Sequence, residues 1–319
     1  MKSSSTLFPV ALMRAEVLSS KYIEDTYLLK PNNSPDLTAQ VALSRLGYAD
    51  SDQSKQGVPV VLLHGLYENR SCWLDQDLNG LAAFLLELGF DPWMLEFRGH
   101  GDSPVNNLYD KNTIEAYAQY DLSAAQQFIS EQNPFEAIWL GQGAGGIAIA
   151  TSLANKSLHS NDVLGVCLLN TQVSSFPISY YVPFLRSIKR IRQFFRKLNV
   201  CPKIGPEAEP KGVLLEQLRW SGLLSRWKSK AGNSFWSGLN NLSTPVLSFS
   251  GKDDGANPVK ACRKLAFAIS EDATIVLLSK EQGFSRNYGY TDLLKSSDAA
   301  NDVWPKIGEW IETLKNERG

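Results

Sequence analysis

The stretch IWLGQGAGGIAIATSLA, residues 138–154, decides how this chain folds. It opens on bulky apolar residues, the composition of a strand buried on both faces. Glycines at 141, 143 and 145 then interrupt it, and glycine serves where a chain turns sharply or lies close to another backbone. From Ala144 to Ala154 small and apolar residues follow in a run that predicts a closely packed helix. Strand, glycine turn and helix in that order are the first parts of a β-α-β unit.

Working outward from it, the same alternation recurs. VPVVLL (58–63), DPWMLEF (91–97), EAIWLG (136–141), VLGVCLLN (163–170), PVLSFSG (245–251) and ATIVLL (273–278) predict strands, most of them near-continuous apolar runs. GLAAFLLELG (80–89), IEAYAQYDLSAAQQFIS (114–130) and VWPKIGEWIETL (303–314) have helical spacing. The fold class is therefore α/β, a mostly parallel central sheet flanked by helices. Residues 11–48 supply two weaker strand candidates, expected as an antiparallel edge.

Residues 172–243 break the alternation. They are helical in pattern and rich in aromatics, including Phe176, Tyr180, Tyr181, Phe184, Phe194, Phe195, Trp220, Trp227 and Trp236. Lying between two core strands, they are expected to form a helical cap over the sheet's carboxyl edge, where open α/β sheets bind ligands. The expected organisation is a core from 1–171, a cap from 172–243 and the rest of the core from 244–319.

The bulk composition narrows the function. At 43% hydrophobic, 20% charged and a formal net charge of −1, the chain has no global field for nucleic acid or an anionic surface. Four cysteines (72, 167, 201 and 262) lack ligand spacing and read as reduced thiols, and no metal or cofactor is expected. No apolar run is long enough to span a bilayer. The N-terminal MKSSSTLFPVALMRAEV is a poor signal peptide, because Arg14 interrupts its short apolar part. A cytoplasmic protein is expected.

Five motifs fall in a fixed order. His64-Gly65-Leu66 follows the first buried strand, and Arg98-Gly99-His100-Gly101-Asp102-Ser103 follows the next. Gly141-Gln142-Gly143-Ala144-Gly145 comes third. PVLSFSGKDDGANP carries Asp253 and Asp254, and FSRNYGYTDLL carries Tyr290-Thr291-Asp292. From about residue 40 to 315 the chain resembles bacterial α/β-hydrolases of the lipase and esterase type. The resemblance implies that Gly143 stands at the nucleophile position of a G-x-S-x-G elbow and Tyr290 at the histidine position. Asp254 stands at the acid position, with Asp253 as the alternative. The backbone N–H groups of Leu66 and Ala144 would form the oxyanion hole, with Gln142 and His64 beside them as ligand-binding groups.

The departures fall on the reactive residues. A serine hydrolase needs an Oγ to attack and an imidazole to take its proton. Gly143 has no side chain, and tyrosine, with a pKa near 10, is a poor base. The only histidines are His64, His100 and His159, and none is in the terminal loop. The elbow is a strained turn that glycine adopts without penalty. The expected function is a pseudo-hydrolase that binds an apolar or acyl-bearing small molecule under the cap. The alternative is an esterase- or lipase-type hydrolase, or a non-hydrolytic enzyme, using other pocket residues. No nucleic-acid partner is expected. Residues 184–198, FLRSIKRIRQFFRKL, alternate an apolar stripe with basic residues; the expected reading is a cap helix with a solvated basic face, with weak peripheral contact with a membrane or an anionic ligand as the alternative.

Overall fold

Pro59–Leu63 is a strand because all five residues are apolar and have apolar surroundings on both sides. Every one of them is buried. In the computed structural model, which describes residues 8–49, 57–176, 199–221, 227–240 and 242–318 with 181, 182, 184, 185, 187–189 and 191, this strand lies inside a nine-stranded sheet. The strands are β1 (Val10–Val17), β2 (Tyr22–Leu29), β3 (Val41–Tyr48), β4 (Pro59–Leu63), β5 (Asp91–Leu95), β6 (Ala137–Gln142), β7 (Val163–Leu169), β8 (Val246–Gly251) and β9 (Thr274–Leu278). Their order is β1-β2-β3-β5-β4-β6-β7-β8-β9. The six strands from β4 to β9 pair in parallel, while β1, β2 and β3 form an antiparallel edge joined to β5.

That edge has three strands where the sequence pattern predicts two. β1 alternates weakly and is mostly exposed, so its pairing rests on backbone hydrogen bonds to β2 rather than on a buried face. The six predicted core strands all appear within a residue or two of their expected bounds.

Alternate side chains of the central strands feed two cores. Val60, Leu62, Met94, Ile138 and Leu140 pack with α1 (Leu81–Glu87) and the terminal helix. Val61, Leu63, Trp93, Leu95 and Trp139 pack on the other face with α2 (Leu122–Gln132) and α3 (Ala144–Ala154). Trp93 and Trp139 are both fully buried, and truncating a buried Trp to Ala costs about 3–5 kcal/mol. The predicted helix over 114–130 is broken by a wider turn at Tyr117–Asp121. There the buried Asp121 carboxylate holds the Arg98 guanidinium of the loop after β5.

Further helices are α4 (Lys211–Trp220), α5 (Val259–Ile269), α6 (Asp292–Lys295) and α7 (Trp304–Arg318). No helix among the described residues is long and apolar enough to cross a membrane. The strand order turns at β4, which has β5 on one side and β6 on the other. Loops leaving the carboxyl ends of β4 and β6 therefore flank a crevice at a topological switch point.

Candidate active site

The turn after β4 is held from beneath by His64. Its Nδ1 lies 2.8 Å from the Gly65 carbonyl, and the Phe97 N–H donates to its Nε2 at 3.1 Å. These partners fix a neutral tautomer with the proton on Nδ1. Burial, with His100 close by, pulls its pKa down to about 3. The sequence places His64 among the ligand-binding groups. The structure corrects this: its ring is fully enclosed, and both nitrogens are committed to backbone. Its work is to shape the turn that presents Leu66.

That turn is also tied from residues 199–209. Tyr67, at φ +65°, donates its N–H to Glu209 Oε1 at 2.6 Å and accepts from the Glu207 N–H at 2.9 Å. Asn69 Nδ2 donates to Glu207 Oε1 at 2.6 Å. The Leu66 N–H between these anchors has no hydrogen-bond partner among the described residues.

At the end of β6 the chain reverses through Gly143, with φ +49° and ψ −110°. A side chain there would be strained by about 1–3 kcal/mol. Added Cβ atoms on Gly141 and Gly145 would overlap the backbone of Gly146 and of Leu63. The elbow is thus closed tightly on both sides. Ala144 opens α3, and the first N–H groups of a helix have no intrahelical partners. Gln142 is fully buried, and its Nε2 donates to the Tyr290 carbonyl at 2.8 Å. The sequence suggests a ligand contact for it. Its amide nitrogen anchors the terminal loop, while its Oε1 has no hydrogen-bond partner among the described residues.

Asn170, just past β7, anchors the same loop. Its Nδ2 donates to the Gly289 carbonyl at 3.3 Å, while its Oδ1 accepts from the Gly251 N–H at 2.7 Å. So fixed, Tyr290 reaches over the elbow. A Cβ on Gly143 would overlap the Tyr290 hydroxyl and stand 3.1 Å from its Cε2 and Cζ. A Cβ on Gly65 would overlap that hydroxyl too and stand 3.2 Å from Glu68 Oε2. Burial, and after it the Glu68 carboxyl, pushes the phenol's pKa well above its ordinary value. Glu68 is itself raised by burial, against the opposing pull of Lys295 Nζ 2.8 Å away.

Leu66, Gly143, Ala144 and Tyr290 share one cavity of about 490 Å³. Val173, Phe176, Lys203, Ile204 and Trp220, from the stretch between β7 and β8, also line it. Among the described residues, the other aromatics of that stretch do not line it. Trp227 packs on Phe235 and Trp236, Phe184 is exposed, and Tyr180, Phe194 and Phe195 lie outside the described residues.

Asp254 is buried beside this cavity and satisfied by its own loop. It accepts from the Ala256 and Asn257 N–H groups at 3.1 and 3.2 Å and from Asn257 Nδ2 at 2.9 Å. Asp253 is exposed. No histidine lines the cavity; His159 is on the surface, and His100 is buried with Nε2 3.2 Å from Glu209. Burial works against the imidazolium of His100, but Glu209, Glu207 and the Arg98 backbone together raise the pKa.

The sequence profile of the alpha/beta hydrolase family matches residues 60–277, well over half of the chain. The chain belongs to the alpha/beta hydrolase family. Among curated proteins it is 26% identical over 143 residues to a Saccharomyces cerevisiae protein named "Probable alcohol acetyltransferase", covering 44% of this chain and 38% of that one. It is 30% identical over 114 residues to human gastric triacylglycerol lipase, covering 33% and 26%. The chain thus matches well under half the length of these relatives. Among solved structures, a thermophilic esterase from Thermogutta terrifontis aligns with a TM-score of 0.59 at 19% identity, covering 86% of this chain and 94% of that one. At that identity the likeness speaks for the fold.

Within this hydrolase fold, the carboxyls beneath the cavity carry no sequence signal. Glu68 is two residues from Leu66, yet nothing in its spacing marks it as buried. Glu209 meets Tyr67 from 142 residues away, a distance no local pattern spans.

Proposed function

We propose that this alpha/beta hydrolase relative is a binding protein rather than a serine hydrolase, with residues 172–243 as its cap. Its cavity takes an apolar, acyl-bearing molecule whose carbonyl meets the Leu66 and Ala144 N–H groups and the Tyr290 hydroxyl. The observation that carries this reading is the fit between Gly143 and Tyr290: the phenol fills the space a nucleophile's side chain would need. A cavity of about 490 Å³ is in the ordinary range for a small-molecule site. The bound head group is neutral, because the largely apolar lining would have to desolvate a carboxylate and the Glu68 carboxyl already stands close to the Tyr290 hydroxyl. An ester, amide or aldehyde meets the site better than a free acid.

A second reading has support in the relatives and neighbours named as esterases and lipases. On that reading the chain hydrolyses or transfers acyl groups with cavity residues other than a serine and histidine.

Thermal shift separates ligand classes directly. Acyl esters of increasing chain length should raise the melting temperature, and the matching free acids should raise it less. Glu68→Gln should narrow the gap between them. A folded, empty protein that responds to neither class speaks against the binding reading.

A further inference from the structure

Residues 171–206 contain seven basic residues (Arg186, Lys189, Arg190, Arg192, Arg196, Lys197 and Lys203) and no Asp or Glu. The rest of the chain holds 25 basic against 33 acidic residues. A nearly neutral protein has therefore gathered its positive charge into one short stretch. Within it, the described residues from 184 to 191 are helical, and their large apolar side chains face solvent. Phe184 is 73% exposed, Ile191 59%, Ile188 45% and Leu185 40%. Positions 184, 188 and 191 are spaced i, i+4, i+7, so they share one stripe.

A solvated basic face has no use for an exposed Phe and two exposed Ile at that spacing. A surface for nucleic acid would need the cations without the aliphatic stripe. An exposed apolar stripe, in a stretch whose sequence holds cations and no anions, matches a helix lying in the headgroup region of a bilayer. There the stripe enters the acyl boundary and the cations meet lipid phosphates. We propose that the face carrying Phe184, Ile188 and Ile191 docks on an anionic lipid bilayer. The docked stretch lies between Phe176 and Lys203, both of which line the cavity, so the bilayer would supply acyl-bearing molecules beside its mouth. The docking itself does not depend on whether the cavity binds or hydrolyses what it receives.

Vesicle co-sedimentation of the full chain tests this. Phosphatidylcholine vesicles carrying phosphatidylglycerol should bind at least about tenfold more protein than phosphatidylcholine alone, and salt should weaken that binding. Phe184→Ser with Ile188→Ser and Ile191→Ser should abolish it while leaving the melting temperature unchanged, since these side chains are already exposed. Equal binding to both vesicle types, or no binding, overturns the proposal. So does full retention of binding by the triple variant, with single-stranded RNA competing equally well, which would make the stretch a general polyanion site.

Discussion

The Tyr290 hydroxyl stands where any side chain on Gly143 would have to begin. The two departures that the resemblance to serine hydrolases implies, at 143 and 290, therefore meet in one contact. Placing a serine at 143 without moving the tyrosine drives its side chain into the phenol. Replacing the tyrosine alone leaves an empty space over a bare elbow.

Gly143→Ala and Tyr290→Ala should therefore be strongly non-additive in stability. Alone, Gly143→Ala should be costly through both the positive φ and the overlap with the phenol. In the Tyr290→Ala background only the backbone cost remains, about 1–3 kcal/mol. Denaturant unfolding of the four proteins gives the coupling, expected at roughly 0.5–3 kcal/mol for groups in contact. Additive effects would place the two residues apart.

Gly143→Ser with Tyr290→His should create esterase activity on p-nitrophenyl butyrate, on the order of tenfold or more above either single variant, because triad members act as a unit. The gain should be modest, since Asp254 is held by three hydrogen bonds from its own loop. Adding Asn257→Ala to the pair should release Asp254 Oδ2, which the Asn257 amide now occupies, and raise the rate further. A folded double variant inert on short and long esters would show that the site has drifted beyond positions 143 and 290.

His64 gives a signed pH dependence. Its folded pKa of about 3 lies below the ordinary value of 6.5, so the unfolded chain binds a proton that the folded chain refuses. Stability is present above about 6.5 and is lost as pH falls toward 3, by at most about 1.4 kcal/mol per pH unit. The raised Glu68 acts with the opposite sign. Comparing wild type with His64→Gln, which keeps an acceptor for the Phe97 N–H, isolates the histidine. The wild-type melting temperature should fall more steeply on acidification, and parallel curves would contradict the assignment.

The core strands and the elbow are legible in the sequence because their causes are local. A strand covered on both faces reads as an unbroken apolar run, and a positive-φ turn reads as glycine. β1 is harder to read, since it is mostly exposed and has no buried face to mark it. His64 misleads because being near the site in sequence says nothing of where a side chain points. Glu68 and Glu209 are invisible for a different reason. Their burial is made by segments far away in the chain, and a glutamate's sequence neighbours do not announce it.

The most direct test of the central claim is steady-state hydrolysis of a p-nitrophenyl ester series by the unaltered protein, beside a Tyr290→Phe control. With no nucleophile at 143 and a phenol in its place, turnover should show no saturation and should match the control. A faint background from the Leu66 and Ala144 amides is allowed, since such donors retain part of the rate enhancement in damaged triads. Saturable turnover that falls when a cavity residue is changed would contradict the binding reading and make this chain a working hydrolase.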